Sequence, residues 1–222
     1  MTVGTLLREG FEVLGRQWRW LVAGGVVIAA GQAAQLGLRG HGAGFTGAMG
    51  LLAMLMQYVV HAVVTRRLLL GEGLTSAAVP ARYGNYMLAA LAVVLGGFVG
   101  ALVLVFPGIM LLLRWSLSTS FTLARGMTAR EALAASRDAT KGHRWVLLGA
   151  WAVLWGLLLL PYGALIWSVN GFNQFAMMPV LSPMGVVKLV WTALATCGSL
   201  AFAVGAFSVL VGRSDRLSEI FA

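Results

Sequence analysis

Charged side chains are scarce in this 222-residue sequence: they make up 10% of it, and only 7 residues are Asp or Glu. A soluble globular domain carries about 25% charged residues, because its surface must face water. Hydrophobic residues make up 59% of the chain. The composition therefore excludes an ordinary soluble domain and predicts that most of the chain is solvated by lipid.

Groups that could perform chemistry are equally few. The single cysteine, Cys197, excludes an internal disulfide and any C-x-x-C metal site. The three histidines, His41, His61 and His143, are scattered, and no carboxylate falls within a long apolar run. No Ser–His pair, paired carboxylates or metal-ligand cluster can be assembled from this pattern. We therefore predict a protein that is not an enzyme and needs no cofactor or metal.

Long charge-free intervals predict an all-α, polytopic membrane protein that forms one integral membrane domain over residues 1–222. A spanning helix needs about 20 apolar residues. Pro107-Gly108 splits a run that is too long for one span. A polar stretch from Asn170 to Pro183 is predicted to be an outer loop. The six predicted spans are 20–38, 44–65, 86–106, 108–125, 145–168 and 186–211.

The basic residues, which give a net charge of +9, predict the orientation of the spans. Such an excess in a soluble protein would indicate nucleic acid as a partner. In a membrane protein, Lys and Arg accumulate in cytoplasmic loops. With both termini in the cytoplasm, every Lys and Arg except Arg39, Arg114 and Lys188 falls in an inner segment. We therefore predict cytoplasmic termini and no nucleic-acid partner.

Three short segments precede the predicted helical hairpins: Thr2–Trp18, Glu72–Tyr83 and Thr128–Lys141. They are predicted to lie along the inner membrane surface as short cytoplasmic amphipathic helices, although Pro80 interrupts the second. A T-x-x-E capping box should begin the third, and Gly142 should end it. The predicted apolar stripe of the first segment consists of Leu7, Phe11, Leu14 and Trp18.

A motif runs from a Pro-Gly turn to an aromatic residue at the start of the fifth span. It comprises Pro107-Gly108, an apolar stretch, Arg114-Trp115-Ser116, then Ser136, Lys141-Gly142 and Trp145. This pattern resembles the bacterial membrane-domain family named after glycerophosphoryl diester phosphodiesterase and its inner-membrane relatives.

That resemblance implies a six-span protein of the bacterial inner (cytoplasmic) membrane. It does not imply phosphodiesterase activity, because that chemistry belongs to a separate catalytic domain in fused relatives. The chain departs from the family at Arg125-Gly126, where relatives often carry an acidic residue before the glycine. Any charge pairing built on that acid is not expected here.

Arg114 is the one ionisable residue well inside a predicted span, where a charge costs on the order of 2.5–3.5 kcal/mol on insertion scales. It lies about 9 Å past the Pro-Gly turn at 1.5 Å per residue, nearer the outer leaflet. Two readings stay open: an arginine that snorkels and bonds a helix end, or a site for an anionic lipid or substrate. The candidate lipid- or ligand-binding residues are Arg114, Trp115, Arg130, Arg137, Lys141, Arg144 and Trp145.

Two functional hypotheses follow. The first is a non-enzymatic membrane protein that binds membrane lipids, including anionic ones, or a membrane protein partner. The alternative is a permease or transporter subunit for an amphipathic or anionic solute, which predicts a water-accessible cavity reaching Arg114. His61 and Gln57 share a helix face one turn apart, which favours a hydrogen-bonded pair over a proton relay.

Overall fold

The computed structural model describes residues 1–37, 43–103, 105–168 and 183–212, and in these ranges all regular structure is helical. Most helices are long and apolar, as the charge-free intervals predict. The helices are α1 (Val3–Arg16), α2 (Trp18–Gly37), α3 (Ala43–Gly71), α4 (Tyr83–Val103), α5 (Val105–Trp115), α6 (Ser118–Arg125), α7 (Ala129–Ala139), α8 (Arg144–Ser168) and α9 (Pro183–Phe207), which a π-helical turn (Ser208–Gly212) extends.

Four stretches of helix in the described ranges are long and apolar enough to cross a membrane: Gly47–Gly71, Tyr83–Gly100, Arg144–Ala164 and Gly185–Gly212. These match the second, third, fifth and sixth predicted spans, and they fit a membrane protein. The count of six spans stays a prediction. The predicted outer loop falls almost wholly on residues 169–182, outside the described residues.

The fourth predicted span, 108–125, is not one continuous helix. It consists of α5 and α6, which are separated at Ser116-Leu117. Pro107 and Gly108 do not form the predicted turn either, because α5 already begins at Val105. A proline is tolerated in the first turn of a helix, where its missing N–H has no partner to lose.

Glycines allow α4 and α5 to pack closely along their length, in a Gly96-x-x-x-Gly100 pattern typical of close helix packing. A Cβ atom at Gly100 would lie 2.6 Å from the Cα of Gly108, and one at Gly96 would meet the Trp115 ring. A second close crossing joins α1 to α9, where a Cβ at Gly205 would lie 2.7 Å from the backbone nitrogen of Gly10.

Three of the segments predicted to be cytoplasmic meet at one end of the bundle. Arg16 at the end of α1 forms an ion pair of 2.6 Å with Glu72, which follows α3. Arg66 on α3 is buried and donates to the carbonyl of Leu123 on α6, and also to the carbonyl of Val79 at 2.6 Å. This shared end agrees with the charge distribution, which places all three segments on one side.

The segment Thr2–Trp18 forms helix α1, and the side of α1 that packs into the bundle lies next to the predicted apolar stripe. Leu6, Gly10 and Val13 are buried against α8 and α9. Phe11 is 51% exposed and Trp18 55% exposed. The neighbouring small and apolar residues face protein because Gly10 permits close approach to Phe202. The predicted stripe is therefore largely left on the outside of the bundle.

Candidate functional site: an apolar cavity beside a broken helix

The break between α5 and α6 is held by a residue from α7. The Ser136 hydroxyl donates to the Arg114 carbonyl over 2.8 Å and accepts from the Leu117 backbone N–H over 3.2 Å. A break in a membrane helix leaves backbone groups without partners, and each unsatisfied group in lipid costs several kcal/mol. One hydroxyl therefore satisfies a carbonyl and an amide at the break.

Helix α7 reaches the break because it folds back along α6. Gly126 makes the reversal with φ of +62°, a conformation that favours glycine. The predicted capping box then begins α7: the Thr128 N–H donates to Glu131 over 2.9 Å, and the Glu131 N–H donates to the Thr128 hydroxyl over 3.4 Å. Hydrogen bonds from the Thr128 N–H and from the Thr128 side chain to the Glu131 carboxylate lower the pKa of Glu131 below its ordinary value. Gly142, with φ of +85°, follows the end of α7 as predicted.

Arg114 lies at the middle of the α5–α6 run rather than near its outer end. It is nine residues from Val105 and nine from Leu123, which is about 13 Å in either direction at 1.5 Å per residue. The buried Nε atom of Arg114 has no hydrogen-bond partner among the residues that the structure describes. Since α5 begins before the Pro-Gly pair, Arg114 lies further from the start of its helix than the predicted turn implied, and its depth in a membrane stays a prediction.

A cavity of about 790 Å³ lies between α3, α4, α5, α8 and α9. This volume is within the range of small-molecule sites, which are usually mainly apolar. Helix α5 contributes Ile109, Leu112 and Leu113, which share one helix face, and Ser116 follows α5 in the cavity wall. Arg114 points roughly 150° away from that face at 3.6 residues per turn, and it does not line the cavity. The permease hypothesis predicted a cavity that reaches Arg114. The cavity between these five helices does not reach it.

Part of the cavity lining, on α5 and α8, is also exposed on the outside of the bundle. Trp155 lies about 16 Å along α8 from Arg144 at 1.5 Å per residue. Lining side chains that are also exposed on the outside of the bundle are Ile109, Leu112, Trp155 and Leu159.

Tryptophans hold α8 against α9 around the cavity. Trp151 packs edge-on against Phe202 with ring centroids 4.8 Å apart, and it stacks on Trp155 at 6.4 Å. Towards the other end of α8, the Trp191 indole N–H donates to the Leu158 carbonyl over 2.9 Å. This carbonyl lies close to Pro161, whose ring removes one helix hydrogen bond and disturbs the neighbouring turn.

The polar groups of the cavity are unevenly satisfied. The hydroxyls of Ser116, Thr192 and Ser199 each donate to a carbonyl of their own chain segment at 2.8–2.9 Å, which leaves lone pairs as acceptors. His61 also lines the cavity, and its buried Nε2 atom has no partner within the described ranges. Gln57 lines a separate cavity with Gln32. The predicted pairing of His61 with Gln57 is therefore not formed.

The predicted binding residues do not form one cluster. Trp115 packs against Gly96, away from the cavity face of α5. Arg130, Arg137 and Lys141 lie exposed on and just after α7, and Trp145 is 68% exposed. Arg144 is half-buried, and its Nε atom lacks a partner in the part of the chain that the structure covers.

Two residues of the site carry roles that sequence reasoning missed. The sequence analysis named Ser136 as part of the motif but assigned it no structural role. It predicted one continuous helix over 108–125, so it did not predict a break at Ser116-Leu117 that Ser136 could bridge. Arg66 was counted only as an inner positive charge, although it is 7% exposed and bonded to three backbone carbonyls. A useful signal was the polar run Ser116–Thr122, which is unusual for a lipid-facing helix.

Comparison with protein-family models, curated proteins and solved structures gives no match to this chain. The family resemblance of the motif from Pro107 to Trp145 therefore stays a prediction.

Proposed function

We propose that this chain is a non-enzymatic membrane protein that binds lipid, with the apolar part of the lipid in the cavity between α5, α8 and α9. The observation that carries the proposal is the apolar cavity whose lining residues on α5 and α8 are also exposed on the outside of the bundle. In a bilayer this exposure would give lipid chains direct access, because Trp155 lies near the middle of the predicted fifth span. Apolar and aromatic side chains, including Trp151, Trp155 and Trp191, provide most of the lining. Such a surface suits an acyl or isoprenoid chain.

A second lipid contact is proposed at the exposed cations of α7. Arg130, Arg137 and Lys141 point away from the α5–α6 break and bind anionic headgroups of the inner leaflet, at about 1 kcal/mol per residue. A membrane protein partner with an acidic surface would use the same face. The proposal places both termini in the cytoplasm, with six spans in the bacterial inner membrane.

The alternative is a permease subunit for an amphipathic solute. The broken helix α5–α6 favours it, since transporters commonly build their sites at discontinuous helices. The apolar lining makes a charged solute a poor fit for the cavity. Transport predicts flux of a fluorescent amphiphile across proteoliposomes that contain the chain, whereas lipid binding alone predicts retention without flux.

A pair of matched variants tests the lipid proposal. Ala195 lines the cavity on α9, and Ala195→Phe would fill part of it. Ala152 on α8 is exposed, so Ala152→Phe adds the same atoms to the outer surface. We expect Ala195→Phe to lower the lipid retained through purification, measured by mass spectrometry, while Ala152→Phe leaves it unchanged. Equal retention in both variants would refute cavity binding.

A further inference from the structure

We infer that the cavity takes a neutral lipid alcohol, whose hydroxyl group hydrogen-bonds to His61; this inference rests on the proposed function. It differs from an anionic lipid, which the exposed cations of α7 would suit. Three properties of the cavity carry it: the charge of its lining, the hydrogen-bonding state of its hydroxyls and the position of the His61 Nε2 atom.

The lining has no Lys, Arg, Asp or Glu among the described residues. A phosphate moved into an apolar site without a cation loses its hydration and gains no compensating partner, which is very costly. Arg114 cannot supply the charge, because it lies on the far side of α5 from the cavity. The ligand that enters here is therefore uncharged.

The ligand nevertheless carries a hydrogen-bonding group. The buried His61 Nε2 atom lacks a partner within the described part of the chain, and an unsatisfied buried polar atom costs about 1–3 kcal/mol. An alkane or an acyl chain alone would leave that cost in place. A polar end group on the ligand removes it.

A polar end group that can donate is the better match to four of the hydroxyl groups in the cavity wall. The hydroxyl groups of Ser116, Thr192 and Ser199 already donate to backbone carbonyls, so their oxygens are available only as hydrogen-bond acceptors. Thr196 is in the same state, with a bond of 2.9 Å to the Thr192 carbonyl. A ketone or ester would meet only acceptors at these positions. A hydroxyl both donates and accepts, so it fits these oxygens and either tautomer of His61.

Acylglycerols and isoprenoid alcohols are two classes of neutral lipid alcohol, and the two share this chemistry. The protein, freed of lipid in detergent, is incubated with dioctanoylglycerol, farnesol or dioctanoyl phosphatidylglycerol, and binding is measured by native mass spectrometry. We expect one of the two alcohols to bind at least about tenfold more tightly than the phosphatidylglycerol. The tighter of the two identifies the source. Phosphatidylglycerol binding as tightly as both alcohols, and weakened as much as theirs by Ala195→Phe, would overturn the inference, because that variant separates the cavity from the cations of α7.

Substitutions at His61 give an independent test. His61→Phe keeps an aromatic ring but loses the hydrogen bond, and should weaken alcohol binding about three- to tenfold. His61→Gln keeps a donor and an acceptor, and should retain most of the affinity. Unchanged binding in His61→Phe, with loss in Ala195→Phe, would refute the alcohol while leaving lipid binding in the cavity intact. No effect of Ala195→Phe on any probe would instead refute the proposed function.

Discussion

The hydroxyl of Ser136 lies 2.8 Å from the carbonyl oxygen of Arg114, although the two residues belong to different helices. The same hydroxyl accepts a hydrogen bond from the backbone N–H of Leu117. Helix α7 thus fixes the point at which the α5–α6 run breaks, next to Ser116 in the cavity wall. This contact links the basic surface of α7 to the proposed lipid site.

Ser136→Ala should destabilise the protein by about 1–3 kcal/mol, because it leaves a buried amide and a carbonyl at the break without partners. Thermal unfolding in detergent measures the effect. Ser199→Ala is the matched control, since the Ser199 hydroxyl bonds only to its own helix at the Ala195 carbonyl. Equal losses in the two variants would mean that the bridge at the break has no special importance.

Arg66 and Arg67 are adjacent arginines in different environments. Arg66 is buried and donates to the carbonyls of Leu123, Ser76 and Val79. Arg67 is exposed and lies 4.9 Å from the centroid of the Trp20 ring. Arg66→Met should cost about 3 kcal/mol or more, since hydrogen bonds from a charged donor contribute about 1.5–3 kcal/mol each. Arg67→Met should cost about 1 kcal/mol or less.

Unfolding midpoints of the two arginine variants, measured side by side, decide this comparison. A small loss in Arg66→Met would show that Ser76 and Val79 are not held to α6 by this side chain. The positions of charge in the sequence predicted neither role, because both arginines satisfy the positive-inside pattern equally well.

Composition and charge were sufficient to predict an all-helical membrane protein, because the cost of burying charge in lipid is large and depends little on tertiary detail. The capping box of Thr128 and Glu131 was also predictable, since its partners lie three residues apart. The prediction of one continuous helix over 108–125 was wrong, because its break is stabilised by Ser136, a residue distant in sequence. The cavity could not be predicted either, as its lining comes from five helices.

Gly100 permits the close packing of α4 on α5, so Gly100→Ala should be destabilising. The added Cβ would lie 2.6 Å from the Gly108 backbone, and such overpacking costs about 1–3 kcal/mol. Gly156 on α8 has open space around it. Gly156→Ala should therefore be neutral or slightly stabilising, through helix propensity alone. A similar change in unfolding midpoint for both variants would contradict the packing argument.

The capping box makes the stability of α7 dependent on pH. The Thr128 N–H and hydroxyl lower the pKa of Glu131 below its ordinary value of 4.5. The contribution of the carboxylate to stability is therefore complete above pH 4.5 and is lost as the pH falls through the lowered value. The difference in unfolding midpoint between the wild type and Glu131→Ala should be largest at pH 7 and shrink towards pH 3. A difference that does not depend on pH would exclude the carboxylate as its cause.

The Nε atom of Arg114 has no hydrogen-bond partner among the described residues. The direction of the stability change in Arg114→Leu therefore distinguishes a lipid-binding arginine from a structural one. If Arg114 is kept for lipid binding rather than for the fold, Arg114→Leu should stabilise the protein, because an arginine inside a membrane helix costs on the order of 2.5–3.5 kcal/mol. The same variant should retain less anionic lipid. Arg137→Leu on the exposed face of α7 is the control, and its unfolding midpoint should not change. A lower midpoint in Arg114→Leu would instead support a structural arginine that bonds a helix end, and lipid retention would then follow stability rather than charge.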